Sequence, residues 1–156
     1  MSIIFQLSSS QKQRSEQGNR HVAALILDNP LLIHEIIACL QSKNDALLGD
    51  CIEVCTMVAE DEPELIAPHS DQFIPLLKHK NTRVRWEAMH AVALITRCIP
   101  DDVIKHWEDL ADQFQHEKSV IVRDYMVVCA GNLAASDKIN AGKVYPFLID
   151  ALNAYY

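Results

Sequence analysis

The chain has 156 residues, of which 49% are hydrophobic and 22% are charged. This composition excludes a disordered chain and predicts one domain, spanning residues 1–156, with a core of its own. Fourteen Lys and Arg residues against 21 Asp and Glu residues give a net charge of -7, which disfavours nucleic acid as a partner because phosphate is repelled. With only 4 Gly, 6 Pro and 6% aromatic residues, the composition favours packed helices over a turn-rich β-structure.

The sequence also predicts a compartment. No apolar stretch approaches the roughly 18 residues of a membrane span, and the first apolar run, Ile3 to Phe5, is too short for the core of a signal peptide. The 5 cysteines lie inside apolar segments, which is typical of free thiols and not of a disulfide framework. We therefore expect a cytoplasmic protein that does not associate with a membrane.

Apolar residues recur at helical spacing along most of the chain. The pattern predicts a polar N-terminal segment with a capping helix, three helix pairs and a C-terminal capping helix, in residues 1–29, 30–60, 63–99, 101–136 and 138–156. Within the pairs, the predicted first helices are Leu31 to Leu40, Pro68 to Leu77 and Asp101 to Phe114, and the second helices are Asp45 to Ala59, Arg83 to Cys98 and Val120 to Ala135. Asp101 or Asp102 is the expected N-cap of its helix.

The chain aligns with itself at an offset of 37 to 38 residues. Leu77 to Asn81 matches Leu40 to Asn44 at an offset of 37, and Val84-Arg85 matches Val122-Arg123 at an offset of 38. A constant period of this length indicates stacked units, none of which buries its apolar face alone.

The second helices resemble those of HEAT-type repeats. The segment Val84 to Ile95 has the family's Val-Arg pair followed by small residues and Ala-Leu, and the third unit has Val122-Arg123 and a matching Gly131. The first unit departs from the pattern, with Leu47-Leu48 in place of Val-Arg. The resemblance implies an all-α fold, a short right-handed α-solenoid of antiparallel helix pairs. It also implies that Arg85 and Arg123 reach acidic or amide side chains near the neighbouring turn.

In this family the second helices line the concave surface. The positions left over after the core stripe is assigned combine an apolar centre with a charged rim, which is the composition of a groove that binds a peptide or helix. The alternative is that Trp86 folds over its own turn and the exposed apolar residues have no function. We call these positions the second-helix face: Glu53, Met57, Trp86, His90, Leu94, Arg97, Asp124, Val128 and Asn132.

A second feature is a basic turn, formed by Lys78, Lys80, Arg83 and Arg85. It contrasts with residues 31–77, which carry 1 Lys and 9 acidic residues. For Arg85 and Arg123 the resemblance implies a structural ladder between units, and phosphate binding, which the charge of this turn keeps open, is the alternative.

Catalytic motifs are missing from the sequence. The glycines are isolated from one another, and no nucleophile elbow or zinc-protease helix occurs. Cys51 and Cys55 share a helix face, where core packing is favoured over zinc binding. We therefore expect no enzyme activity, no cofactor and no metal site.

The predicted function is a noncatalytic protein-binding or scaffold module whose partner is a protein or peptide. The alternative is a nucleic-acid-binding helical-repeat protein that resembles the alkylated-base DNA glycosylases. There Trp86 would stack on a base, Asp124 would stabilise a cation, and Arg85, Arg97 and Arg123 would hold phosphates. Homo-oligomerisation through the C-terminal helix, with Tyr145, Phe147, Tyr155 and Tyr156 on its surface, is a further expectation.

Overall fold

The computed structural model describes residues 1–155, with the side chain of Tyr155 excepted. Within that range the chain forms helices and no strand, so the predicted all-α class is confirmed. No helix of the described part is long and apolar enough to cross a membrane. The α-helices are α1 (Gln17–Asp28), α2 (Ile33–Ala38), α3 (Asp45–Asp61), α4 (Pro63–Ile66), α5 (Ser70–Phe73), α6 (Thr82–Ile95), α7 (Pro100–Val103), α8 (Trp107–His116), α9 (Val120–Ser136) and α10 (Lys138–Tyr155).

The helices α3, α6 and α9 begin in the same way. Their N-caps are Asn44, Asn81 and Ser119, and each side-chain oxygen accepts a hydrogen bond from a backbone N–H of the first turn. These caps satisfy donors that a helix leaves open at its N-terminus. They are 37 and 38 residues apart, so the sequence period is also the spacing of the helix starts.

The helices that precede α6 and α9 are interrupted. The single helix expected from Pro68 to Leu77 is wrong. A 3-10 turn at Ala67–His69 separates α4 from α5, and a second one at Ile74–Lys78 follows α5. Pro68 and Pro75 lie inside these turns, and proline lacks the N–H that a continuous helix needs.

The predicted N-cap of the next helix is also wrong. Pro100 is the first residue of α7 and Ile99 precedes it, so Asp101 and Asp102 lie inside the first turn. Proline takes this position readily because its fixed φ suits a helix start and its missing N–H would have no partner there. A 3-10 turn at Ile104–His106 then separates α7 from α8.

The long helices pack in series. α1 contacts α3, α3 contacts α6, α6 contacts α9, and α9 contacts α10. The inner faces of these helices form the core, in which Cys51, Cys55 and Val84 are fully buried. Burial raises the pKa of both Cys51 and Cys55 far above the usual range, so these thiols are neutral core side chains.

The polar N-terminal segment is anchored to this stack. Ile3 and Leu7 are buried in the core, and the backbone N–H of Ser8 donates to Asn19 Oδ1 at 3.0 Å. Gly18 permits the approach, because a Cβ there would lie 2.6 Å from the carbonyl oxygen of Gln6. The segment before α1 is therefore part of the folded domain.

At the other end, α10 covers α9. Phe147, expected on an exposed interface, is buried, because its ring meets Trp107 at 4.9 Å and Phe114 at 4.8 Å in edge-to-face contacts. That expectation for Phe147 is therefore wrong. Tyr145 is exposed, whereas the side chain of Tyr155 and the whole of Tyr156 lie outside the described residues.

Candidate functional site

All nine positions of the second-helix face lie on α3, α6 and the adjoining turn, and α9, which pack in series. Trp86 and Leu94 are only half-buried, and both pack against the core. Val128 is 50% exposed, so it is a more open apolar position than either of them. The face therefore combines side chains anchored in the core with a smaller number that are open to solvent.

Four positions of the second-helix face come together around one cleft of about 320 Å³. They are Glu53 and Met57 of α3 and Trp86 and His90 of α6. The cleft is also lined by Glu60, by residues of α9, and by Glu16 and Arg20. We call it the acidic cleft. The other five positions of the face, Leu94, Arg97, Asp124, Val128 and Asn132, are not part of its lining.

Polar side chains of the face join neighbouring helices. Arg97 Nε donates to Asn132 Oδ1 at 2.9 Å, and the amide of Asn132 donates to the carbonyl oxygen of Ala93 at 2.9 Å. The ring of His90 stacks on Tyr125 with centroids 4.1 Å apart and planes 9° from parallel. Burial lowers the pKa of His90, so this ring is neutral at pH 7. These contacts fix α6 against α9.

In the basic turn, the two arginines are held by carboxylates. Arg83 donates to Asp50 Oδ1 at 2.9 Å and to Glu53 Oε2 at 3.1 Å. Arg85 donates two hydrogen bonds to the carboxylate of Glu117, of 2.9 and 3.2 Å. Glu117 lies in the turn before α9, so Arg85 makes the contact with the neighbouring turn that the family resemblance implies.

The lysines of the same turn are more open. Lys78 lies 3.6 Å from Asp109, and both side chains are mostly exposed. Lys80 is exposed. The turn therefore carries less free positive charge than its sequence indicates, because its two guanidinium groups already have acidic partners.

The carboxylate of Asp50 is buried beneath the N-terminal segment. It accepts hydrogen bonds from the backbone N–H of Ser9 at 2.7 Å and from Arg83 at 2.9 Å. Burial by itself would raise the pKa of Asp50, but hydrogen bonds from Ser9, Asn19 and Arg83 outweigh it and hold this pKa below its usual value. Asp50 is therefore a charged, well-satisfied structural carboxylate.

A second buried carboxylate, that of Glu87, lines the acidic cleft. Its residue is 8% exposed, and no ion pair to it occurs among residues 1–155. Burial raises the pKa of Glu87 to about 7, although a hydrogen bond from Trp86 works in the opposite direction. Glu87 therefore changes its charge near neutral pH, unlike Asp50.

Sequence reasoning missed Glu87, Ile121 and Tyr125, which complete the lining from α6 and α9. A signal for Glu87 existed, since it lies three residues after Val84 and so falls within the apolar stripe of its helix. Tyr125 stands in the same relation to Val122.

No sequence pattern indicated that Glu16 and Arg20 line the cleft. They reach the cleft through the docking of α1 on α3, and α1 lies outside the repeating pattern. Within the described residues, no group of three or more His, Cys, Asp or Glu side chains is arranged to hold a metal ion.

No protein-family model, curated protein sequence or solved structure matches the chain. The fold defines an all-α protein.

Proposed function

We propose that this protein is a noncatalytic protein-binding or scaffold module and that its partner, a protein or peptide, binds on the second-helix face. The acidic cleft carries this proposal. A cleft of about 320 Å³ lies between four helices, α1, α3, α6 and α9, and is lined by Trp86, Tyr125 and Met57 together with several glutamates. Aromatic and Met side chains surrounded by charged groups are typical of the anchoring positions of protein interfaces.

We further propose that the chain is a short right-handed α-solenoid of HEAT-type repeats and that the second-helix face is its concave side. The serial packing of α3, α6 and α9 supports this arrangement. So do their N-caps, which recur at 37 and 38 residues. In such proteins, stacked units offer one extended surface that a helix or an extended peptide covers.

A nucleic-acid partner has less support. The glutamates of the acidic cleft repel phosphate, and only Arg20 adds a positive charge to its lining. Arg83 and Arg85 are engaged by Asp50, Glu53 and Glu117. We therefore prefer protein binding without enzyme activity. The 5 free cysteines support our proposal of a reducing, cytoplasmic compartment.

Site-specific photo-crosslinking in cells of the native host tests the proposed function. A photoreactive phenylalanine at position 128 lies on the second-helix face, and one at position 31 is the matched control, because Leu31 is an equally apolar side chain that is 75% exposed elsewhere. We expect a discrete protein adduct from position 128 and none from position 31. Trp86→Ala should remove this adduct.

Loss of folding is separated from loss of binding by the circular dichroism spectrum of the Trp86→Ala chain, which should keep its helical signal. Equal adducts from positions 128 and 31, or none from either, would contradict the proposal.

A further inference from the structure

The ion pair that joins α3 to α6 lacks its counterpart between α6 and α9. Asp50 of α3 pairs with Arg83 of α6 at 2.9 Å. Glu87 lies 37 residues after Asp50, and Ile121 lies 38 residues after Arg83, which are the two offsets at which the chain aligns with itself. At the second junction, an isoleucine therefore occupies the place of the arginine.

The consequence is seen at Glu87. The residue is only 8% exposed, yet its carboxyl group makes no ion pair within residues 1–155. Both Glu87 and Ile121 line the acidic cleft. A buried carboxylate without a cation is costly, so a cation that reaches it from solvent gains more than one that meets an exposed acid.

The other charged groups of the cleft also favour a cation. Glu53 and Glu60 line it from α3, and Glu16, which also lines it, is paired with Arg20. Arg83 is not part of the lining but donates a hydrogen bond to Glu53. Burial lowers the pKa of His90, which disfavours a positive charge on its ring. The cleft therefore has a net negative charge at neutral pH.

The aromatic side chains indicate which cation fits best. Trp86 and Tyr125 line the cleft beside Glu87. A guanidinium group is planar, stacks on aromatic rings and forms paired hydrogen bonds with a carboxylate, whereas an ammonium group is more strongly hydrated and binds as a point charge. At the equivalent position one junction away, the guanidinium of Arg83 donates a hydrogen bond to the carboxylate of Asp50 at 2.9 Å.

We propose that the acidic cleft receives an arginine side chain of a protein partner, whose guanidinium pairs with Glu87 and completes the junction that Arg83 completes between α3 and α6. This inference rests on the proposed function, because it names the group by which a partner is anchored on the second-helix face.

The test is a titration with the peptide acetyl-Gly-Gly-Arg-Gly-Gly-amide, followed through the indole N–H signal of Trp86 in nuclear magnetic resonance spectra. The matched probe carries citrulline, the neutral isostere, in place of arginine. We expect the arginine peptide to bind at least about tenfold more tightly, the difference that about 1.4 kcal/mol produces. Glu87→Gln should remove this preference, and Glu108→Gln, an exposed acid of α8, should keep it.

A second pair of variants keeps the test decisive if Glu87→Gln does not fold. Ile121→Arg supplies the missing guanidinium from within the chain and should abolish binding of the arginine peptide. Leu31→Arg adds the same charge at an exposed site elsewhere and should leave binding unchanged.

Two results overturn the inference. One is equal binding of the arginine and citrulline peptides, and the other is full binding by the Ile121→Arg chain. If the adduct from position 128 persists in either case, the proposed function stands and only the arginine anchor falls. A shift of the Trp86 signal by decathymidylate, with none by the arginine peptide, would contradict both the proposed protein-binding function and the arginine anchor.

Discussion

The guanidinium of Arg83 lies 2.9 Å from the carboxylate of Asp50 and joins α6 to α3. The Asp50 side chain is 3% exposed and that of Arg83 is 38% exposed, so one end of the pair is in the interior and the other reaches solvent. Such a pair favours one register between two helices, because the buried carboxylate has a cationic partner only when the arginine is opposite it.

Removing this arginine should therefore destabilise the fold. We expect Arg83→Gln to lower the free energy of unfolding by about 2 kcal/mol, less than for a fully buried pair because the guanidinium is partly exposed. Urea denaturation followed by circular dichroism measures the change. Lys78→Gln, which breaks only the exposed contact with Asp109, is the control and should leave the midpoint unchanged. Equal shifts for the two variants would contradict this interpretation.

The second prediction concerns pH. Burial raises the pKa of Glu87 from 4.5 to about 7, so the folded protein keeps a proton that the unfolded chain releases. The unfolded state loses this proton first as the pH rises from about 4.5, and the stability contributed by neutral Glu87 is lost progressively up to about pH 7.

Glu87→Gln has no such loss. Its stability relative to the parent chain should therefore increase between pH 5 and pH 8, by on the order of 2 kcal/mol. Urea midpoints of both chains at the two pH values provide the measurement, and titration of other groups cancels in the comparison. A difference between the two chains that does not change with pH would show that Glu87 titrates normally.

The third prediction contrasts two glycines. At Gly18 a Cβ would lie 2.6 Å from the Gln6 carbonyl oxygen and 2.8 Å from the Ser8 nitrogen, so Gly18→Ala should displace the N-terminal segment and cost about 1–3 kcal/mol. At Gly131, inside α9, a Cβ would meet nothing within 4 Å. Gly131→Ala should therefore stabilise the protein by about 0.5–1 kcal/mol.

Thermal denaturation of the two variants, under identical conditions, checks this contrast. The melting temperature should fall for Gly18→Ala and rise for Gly131→Ala. An unchanged melting temperature for Gly18→Ala would mean that the segment before α1 does not contribute to the stability of the fold.

The long second helices were predictable from local pattern. The helix predicted from Val120 to Ala135 is observed as Val120–Ser136, because an apolar stripe and a polar N-cap mark it within its own sequence. The interruptions in the helices before α6 were not predicted, although the sequence has Pro68 and Pro75 at these places. A proline is compatible with a helix start and with a 3-10 turn, and the choice between them depends on packing against neighbouring helices.

The candidate site was predictable in part for the same reason. Glu53, Met57, Trp86 and His90 line the cleft and were predicted from helix periodicity together with the resemblance to HEAT-type repeats. Glu87 could not be predicted as a site residue. Whether an acid within an apolar stripe has a cationic partner depends on the residue opposite it on the next helix. That opposing residue is Arg83 for Asp50 and Ile121 at the next junction, and only the register between helices relates them.

We infer that Glu87 is a buried carboxylate that lacks an arginine partner, and titration of its own carboxyl group tests that claim. Carbon-detected magnetic resonance of the side-chain carboxyl gives its pKa in the parent chain and in Ile121→Arg. We expect a pKa of about 7 in the parent chain and a value far lower in Ile121→Arg, since the introduced guanidinium stabilises the ionised form. An ordinary value near 4.5 in the parent chain, or the same value in both chains, would contradict the claim.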